Sequence, residues 1–409
     1  MTTSVYPRWQ GDATPAFVQN LADDLAMQGH HVRVLAPHFK GCPTINVENG
    51  VSIHRHHYAW PSCLQTLCYE GGMLVRLREA RWRKALLPLF AASQYRALHW
   101  EIRHFKPDIV HAHSLVPQGW IASKALSSHT NVPLIVSSHG NDVFGLHGRY
   151  MKLKRQTAER ADCVVANSKA TRAAMFHFCS PEKIEIIPAS PNRPPSHNSH
   201  SFADAFSAKH GDRQRQLIMF AGRLIPEKGI ELLLDAFPEI LRRVPTAKLI
   251  VCGDGPLAPK VKTIIANWEQ TGDAAFLGWV PNETITSFFS KATIVAVPSQ
   301  PQHSGWEEAQ GLVAVEAMAA GAIVVASRLG GLAESIVDGE TGFLVEPNNR
   351  AQWIDTIVSA LTAPASLRET WAAQARERYR AQFSREASAQ KTIELYRTII
   401  ARRCDPQQF

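Results

Sequence analysis

Two glutamates, Glu308 and Glu316, stand eight positions apart around Gly311, at the start of an apolar run that continues through Ala317-Met318-Ala319-Ala320 to Gly321. The run predicts a helix, with Glu308 in the loop before it and Glu316 about two turns inside. A helix N-terminus offers unpaired N–H groups and the positive end of a dipole, which suits a phosphate. Carboxylates beside such an anion site make sense as acceptors of hydrogen bonds from sugar hydroxyls. The combination describes a pocket for a sugar nucleotide. Taken alone, the pair would also fit a solvated glutamate followed by an ordinary helix glutamate.

Two further segments favour the pocket. Leu217–Ala221 reads as a buried strand, followed by Gly222-Arg223-Leu224-Ile225-Pro226-Glu227-Lys228-Gly229. A helical pattern then places Leu232, Leu233, Ala236, Phe237 and Ile240 on one face. A strand, a glycine turn carrying Arg and Lys, and a helix start form a diphosphate clamp: Arg grips two phosphate oxygens at once, and Lys adds a mobile point charge. Downstream, Ser327-Arg328-Leu329-Gly330-Gly331-Leu332-Ala333-Glu334 follows the expected strand Ile323–Ala326, with glycines where backbone must approach a ligand.

These segments resemble the retaining family-4 glycosyltransferases of the GT-B fold, and the resemblance runs over nearly the whole chain. It rests on the Gly-Arg…Glu-Lys-Gly segment at 222–229 and on Gly253-Asp254-Gly255-Pro256 after a strand Leu249–Cys252. It also rests on Pro298-Ser299 after a strand Ile294–Val297, and on the two-glutamate motif. The resemblance implies that Arg223 and Lys228 bind the donor diphosphate, that Glu308 contacts the transferred sugar, and that Glu316 holds the ribose hydroxyls. Gly311 and Leu312, at the helix start, join the donor-binding set.

In the N-terminal half, Tyr6–Pro15 is similar to the family's first strand-to-helix loop. The family often sets two glycines there against the donor phosphate; Gly11 is kept and Gln10 replaces its neighbour. Only Met1–Val5 precede this loop, short of the usual strand of about 5–6 residues. Either the chain starts further upstream, or a stub serves as the central strand. His111-Ala112-His113 follows an expected strand Asp108–Val110, and Ser138-His139-Gly140-Asn141-Asp142 follows Leu134–Ser137. Both sit where an open parallel sheet puts its ligand crevice. The resemblance places His139 near the transferred sugar, as a hydrogen-bonding group at the reaction centre. His111 and His113 are candidates for the acceptor side. The cluster His54-Arg55-His56-His57 reads as surface, and no zinc-ligand spacing occurs.

The elements that must position these residues are apolar strands alternating with helical patterns, an α/β chain with parallel sheets and right-handed crossovers. With 45% hydrophobic residues the chain has ample core, and its length favours two domains. The expectation is a GT-B arrangement of two Rossmann-like domains whose sheets face a central cleft. Residues 1–190 form the acceptor-side domain, 191–201 a Pro/Ser/Asn/His-rich linker, 202–386 the nucleotide-sugar domain, and 387–409 a helix returning toward the first domain. Seven scattered cysteines suggest a reducing compartment without disulfides. No signal peptide or bilayer-length apolar run is seen, and a cytoplasmic location is expected.

Charge is uneven. Residues 1–195 carry a net +9 and the remainder −1. Eight cations and two acids lie within Met73–Lys106, interleaved with Trp82, Leu86, Leu87, Phe90, Tyr95 and Trp100, and Pro88 is expected to split the segment into two helices. Basic, aromatic helices suit an anionic leaflet, so the segment predicts peripheral contact with the inner face of the plasma membrane. A solvated basic face on packed helices would give the same composition.

With no Asp-x-Asp in the chain, protein cations and a helix dipole would replace a metal clamp, and no metal or cofactor is expected. The resulting reading is a retaining transfer of sugar from a UDP- or GDP-sugar to a lipid-linked or saccharide acceptor. Alternatives are a catalytically impaired membrane scaffold of the same fold and a sugar-nucleotide epimerase. A nucleic-acid partner would leave the paired glutamates unexplained. A Rossmann dehydrogenase lacks its early G-x-G-x-x-G.

Overall fold

The computed structural model describes residues 1–12, 14–127, 131–192, 215–302 and 305–404. Most of the expected linker, the first part of the expected second domain (202–214) and the last five residues lie outside this set. The chain divides into two compact units, Met1–Ser190 with Arg385–Phe409, and Pro191–Ser384.

The first unit is built on an eight-stranded sheet, ordered β3-β4-β2-β1-β5-β6-β7-β8. The strands are β1 (Thr2–Thr3), β2 (Arg33–Pro37), β3 (Ile45–Glu48), β4 (Val51–His56), β5 (Val110–His113), β6 (Leu134–Ser137), β7 (Cys163–Ala166) and β8 (Ile184–Ile186). Only β3 pairs antiparallel, against β4. β1 is short but central, and Thr2 aligns with Leu35 on one side and Ala112 on the other. The buried Gln94 amide donates to the Thr2 hydroxyl at 2.9 Å, which ties the strand to the helix above it. The long loop after β1 leads to α1 (Phe17–Met27). The C-terminal helix Arg385–Cys404 belongs to this unit and packs Ala389 and Ile393 against Leu21 and Leu25 of α1.

The second unit is a six-stranded, all-parallel sheet, ordered β11-β10-β9-β12-β13-β14. Its strands are β9 (Gln216–Ala221), β10 (Ala247–Cys252), β11 (Ala274–Gly278), β12 (Ile294–Val297), β13 (Ile323–Ser327) and β14 (Phe343–Val345). Most are continuous apolar runs, as strands covered by helices on both faces must be. In chain order this is the doubly wound 3-2-1-4-5-6 arrangement, whose switch point lies between β9 and β12, where ligands bind beyond the strand ends.

Four expectations need correction. The strand before His139 runs as anticipated, but the one carrying His111 and His113 is Val110–His113, so both histidines lie within β5. Pairing with β1 and β6 recruits them. In the basic segment the break falls not at Pro88 but at Ala80, whose backbone is extended between α2 (Met73–Glu79) and a 3-10 turn Arg81–Ala85. Pro88 sits in the first turn of α3 (Leu86–Phe105), where a missing N–H costs nothing. The His54–His57 cluster is at the surface only in part, with His57 exposed and His54 half-buried. Arg55 and His56 are buried on β4, Arg55 donates to Pro7 O at 2.6 Å, and His54 meets Glu101 at 2.5 Å. The last helix also starts slightly earlier than expected, at Arg385.

Candidate active site

In the second unit the turn after β9 places Arg223 and Lys228 at the switch point. Arg223 is exposed at the turn's start, and Lys228 closes a short 3-10 turn Pro226–Lys228. Gly229 then starts α4 (Ile230–Arg243) with φ 68°. A Cβ there would stand 1.8 Å from Pro298 O, so only glycine lets this turn press against the end of β12. Helix α4 buries Ile230, Leu233, Leu234, Ala236, Phe237 and Ile240 and anchors the turn to the sheet.

The loop after β12 brings in the carboxylate. Lys228 Nζ donates to Glu308 Oε2 at 2.5 Å, and the Ser299 hydroxyl donates to the same oxygen at 2.9 Å. The Lys228 ammonium also lies 5.6 Å from the centroid of the Trp306 ring. Glu308 is buried and leads through Gly311, at φ 76°, into α5 (Leu312–Ala320). A Cβ on Gly311 would meet Leu332 Cδ2 at 2.3 Å, so the close approach again demands glycine.

Glu316 stands in the second turn of α5, which begins at Leu312 as expected. It is buried, and its Oε1 accepts the Asn192 N–H at 2.9 Å. Burial pushes its carboxyl up to about 7, against the opposing hydrogen bonds from Asn192. The structure therefore brings Lys228, Glu308, Gly311, Leu312 and Glu316 onto two adjoining loops and one helix start.

Ser299, Trp306 and Asn192 had no assigned role from sequence. Pro298-Ser299 was visible as a motif, but a hydroxyl aimed at Glu308 shows only in the fold. Asn192 is separated from Glu316 by 124 positions, with no local signal joining them.

The remaining candidates lie in the first unit. Gly11 is exposed in the loop after β1. That loop is fixed by a clasp missed in the sequence. Arg8 donates through Nε and a terminal nitrogen to Asp12, at 2.9 and 2.7 Å, and its guanidinium lies 4.3 to 5.0 Å from the rings of Trp9, Phe39 and Tyr69. Burial would raise the Asp12 carboxyl, but hydrogen bonds from Arg8 and Thr14 hold it down at about 2.

The three histidines form a buried row. His111 Nδ1 lies 2.6 Å from the Tyr396 hydroxyl and Nε2 2.7 Å from Ser137 Oγ. Both nitrogens of His111 are committed and the residue is 3% exposed, enclosed by its partners and strand position. His113 Nδ1 lies 3.1 Å from His139 Nε2. Burial lowers the pKa of all three imidazoles, His111 to about 3 and His113 well below the ordinary range, and a pull from Asp142 only partly offsets it at His139. A small cavity of about 30 Å³ adjoins the row.

Two family models match the chain in order: Glycosyltransferase Family 4 over residues 15–189, and Glycosyl transferases group 1 over 203–378. This chain belongs to the family-4 glycosyltransferases. A D-inositol 3-phosphate glycosyltransferase of Corynebacterium diphtheriae is 29% identical, over 72% of this chain and 71% of its own. A GDP-mannose-dependent alpha-(1-6)-phosphatidylinositol monomannoside mannosyltransferase of Mycolicibacterium smegmatis is also 29% identical, over 56% of this chain and 59% of its own. Anabaena HepE in complex with UDP-glucose superposes with a TM-score of 0.70, at 17% identity, over 97% of this chain and 99% of that one. The fold of this glycosyltransferase is thus GT-B, with a Rossmann-like sheet in each unit. Among the described residues, no helix is long and apolar enough to cross a membrane.

Proposed function

We propose that this glycosyltransferase moves a hexosyl group from a UDP- or GDP-sugar to a lipid-linked or saccharide acceptor, with retention of anomeric configuration and without a metal. The observation that carries the reading is the Lys228–Glu308–Ser299 cluster at the switch point, one loop from the buried Glu316. Arg223 and Lys228 are assigned the diphosphate, where their charge offsets what develops on the leaving group. The Gly311–Leu312 helix start adds its amides. Glu316 takes the ribose hydroxyls, which replace the Asn192 N–H. Gly11 is assigned to the donor phosphate, and Glu308 and His139 to the transferred sugar.

The ion pair between Lys228 and Glu308 implies an exchange on binding. Each group is the other's partner in this structure, and a nucleotide sugar supplies a partner to each: phosphate to the ammonium and hydroxyls to the carboxylate. A bare diphosphate satisfies only Lys228 and leaves Glu308 facing added negative charge. That asymmetry favours donor over released product.

The acceptor reading draws on the basic segment. Arg76 and Arg83 are spent on Glu79, at 2.8 Å each, whereas Arg78, Arg81, Lys84, Arg96, Arg103 and Lys106 are exposed. Trp82, Leu89, Tyr95 and Trp100 are exposed among them. Cations and amphipathic aromatics on neighbouring elements suit an anionic bilayer surface. We place the enzyme at the inner face of the plasma membrane, in synthesis of a surface polysaccharide or glycolipid. One relative is named for a phosphatidylinositol mannoside, which supports a lipid-borne acceptor.

Calorimetry with UDP, GDP and their sugars in the presence of a chelator tests the donor assignment. Selective binding of one nucleotide class, lost in Lys228→Met and Glu316→Ala, is expected. A folded protein that binds none of them would overturn the reading. NMR of the product's anomeric proton tests retention, and flotation with anionic against neutral vesicles tests the membrane face.

A further inference from the structure

The His113 ring is held from both sides. His111 is fixed at both nitrogens by Tyr396 and Ser137, and its ring stacks on His113 with centroids 4.3 Å apart. On the other side His113 and His139 lie with their planes 10° apart, the geometry of an in-plane bond between Nδ1 and Nε2. Phe17 covers His139 at 4.4 Å between centroids. His139 therefore has little freedom to turn or flip. Two ring nitrogens, His113 Nε2 and His139 Nδ1, are buried and have no partner among the described residues.

Both rings are neutral near pH 7, so each carries one N–H, and one of those protons sits in the bond between them. Two arrangements are possible. If His139 donates to His113, the spare N–H falls on His113 Nε2, within a side chain that is 3% exposed. If His113 donates to His139, the spare N–H falls on His139 Nδ1, in the half-buried loop after β6 and close to the Asp142 carboxylate. In both arrangements the spare N–H is buried and lacks a hydrogen-bond partner among the described residues. The nearby Asp142 carboxylate, which favours a proton on the His139 ring, tips the balance to the second.

We propose that His113 is a positioning residue that fixes the tautomer of His139, so that His139 presents Nδ1–H as a hydrogen-bond donor to its substrate. The role at the sugar rests on the transferase reading above; the tautomer does not. A hydroxyl or ring oxygen of the transferred sugar is the chemistry such a donor takes, and the group needs no protonation to act. His111, Ser137 and Tyr396 serve it indirectly, by holding the ring on which His113 stacks.

Long-range nitrogen–proton NMR of the ring-labelled full-length protein, without ligand at neutral pH, reads each tautomer directly. Wild type is expected to show His139 as the Nδ1–H form with Nε2 accepting. His113→Phe keeps the stacking ring but removes the donor, and should leave His139 a mixture of tautomers. His113→Asn, whose amide can donate from nearly the place of Nδ1, should restore the wild-type signal. With the donor that calorimetry selects, His113→Phe should lose about tenfold in kcat at nearly unchanged KM, as loss of one hydrogen bond predicts. His113→Asn should recover most of it. An Nε2–H tautomer in wild type, or a His113→Phe spectrum identical to wild type, overturns the inference whatever the enzyme transfers. The expected tautomer in a protein that turns over no donor overturns the transferase reading instead.

Discussion

The sheets of the two units are parallel, except for β3 in the first, yet they equip their strand ends in opposite ways. The second unit meets its candidate ligand with charge: Lys228 against Glu308, and Glu316 buried on a helix. The first unit uses neutral imidazoles, hydrogen-bonded to hydroxyls and to one another. A group that must change partners when an ion arrives is well kept in an ion pair, because the ion can take over one side of it. A group that must stay still is better kept in a neutral, fully packed network, where no change of charge disturbs it. The strong ion pair of the first unit is an exception, held still by burial and by several hydrogen bonds. Arg385 binds Asp24 through two bonds of 2.8 and 2.7 Å and also reaches Asn20, all buried, and it anchors the C-terminal helix to α1.

The largest expected effect breaks that anchor. Arg385→Ala strands a buried Asp24, at a cost of about 3–5 kcal/mol, whereas pairing Arg385→Met with Asp24→Asn should recover much of it. Chemical denaturation followed by circular dichroism measures both. Equal losses for the single and double variants would show that packing, not the pair, holds the helix. The counterpart in the second unit behaves differently. The Lys228 side chain is 26% exposed and Ser299 remains on Glu308, so Lys228→Met should leave the melting temperature nearly unchanged. Donor kcat/KM should fall by about 10²–10³. A loss of stability without a loss of rate would reverse the assignment of structural and functional pairs.

Much of the second unit could be read from sequence, and the first unit much less, for a physical reason. Strands β9, β10, β12 and β13 are buried on both faces and announce themselves as apolar runs, and the candidate site residues follow them in contiguous loops. Strand β5 contains two histidines that local pattern assigns to a loop. Only the register against β1 and β6 makes them strand, and only the fold brings Tyr396 to His111 across 285 positions. The Arg8–Asp12 clasp escaped notice because its aromatic walls, Phe39 and Tyr69, come from distant loops. The loops at a switch point carry local motifs, whereas a side-chain network across a sheet depends on topology.

A third effect concerns pH. Burial raises the Glu316 carboxyl from the ordinary 4.5 to about 7. The folded state therefore holds an extra proton between those values, and its stability from this group is full below 4.5 and falls as pH rises through 7. Nucleotide binding should run the other way, because ribose hydroxyls donate to the ionised form. Affinity should rise about tenfold per pH unit up to about 7 and then level off, with proton release seen by calorimetry in buffers of different ionisation heat. Glu316→Gln should bind more weakly and without that slope. A slope that persists in Glu316→Gln would move the titrating group elsewhere.

The smallest expected effect separates the two units most cleanly. Tyr396→Phe removes the 2.6 Å partner of His111 Nδ1 and leaves that nitrogen unpaired in a buried row, which should cost about 1–3 kcal/mol. Nucleotide affinity should be unchanged, since every group assigned to the nucleotide base-side and diphosphate, apart from Gly11, belongs to the second unit. The pair Lys228→Met and Tyr396→Phe thus predicts a double dissociation: binding lost with stability kept, and stability lost with binding kept. Denaturation and calorimetry on the same two proteins decide it. If Tyr396→Phe weakens nucleotide binding as well, the imidazole row is coupled to the charged site, and the division between a unit that exchanges partners and a unit that holds still does not stand.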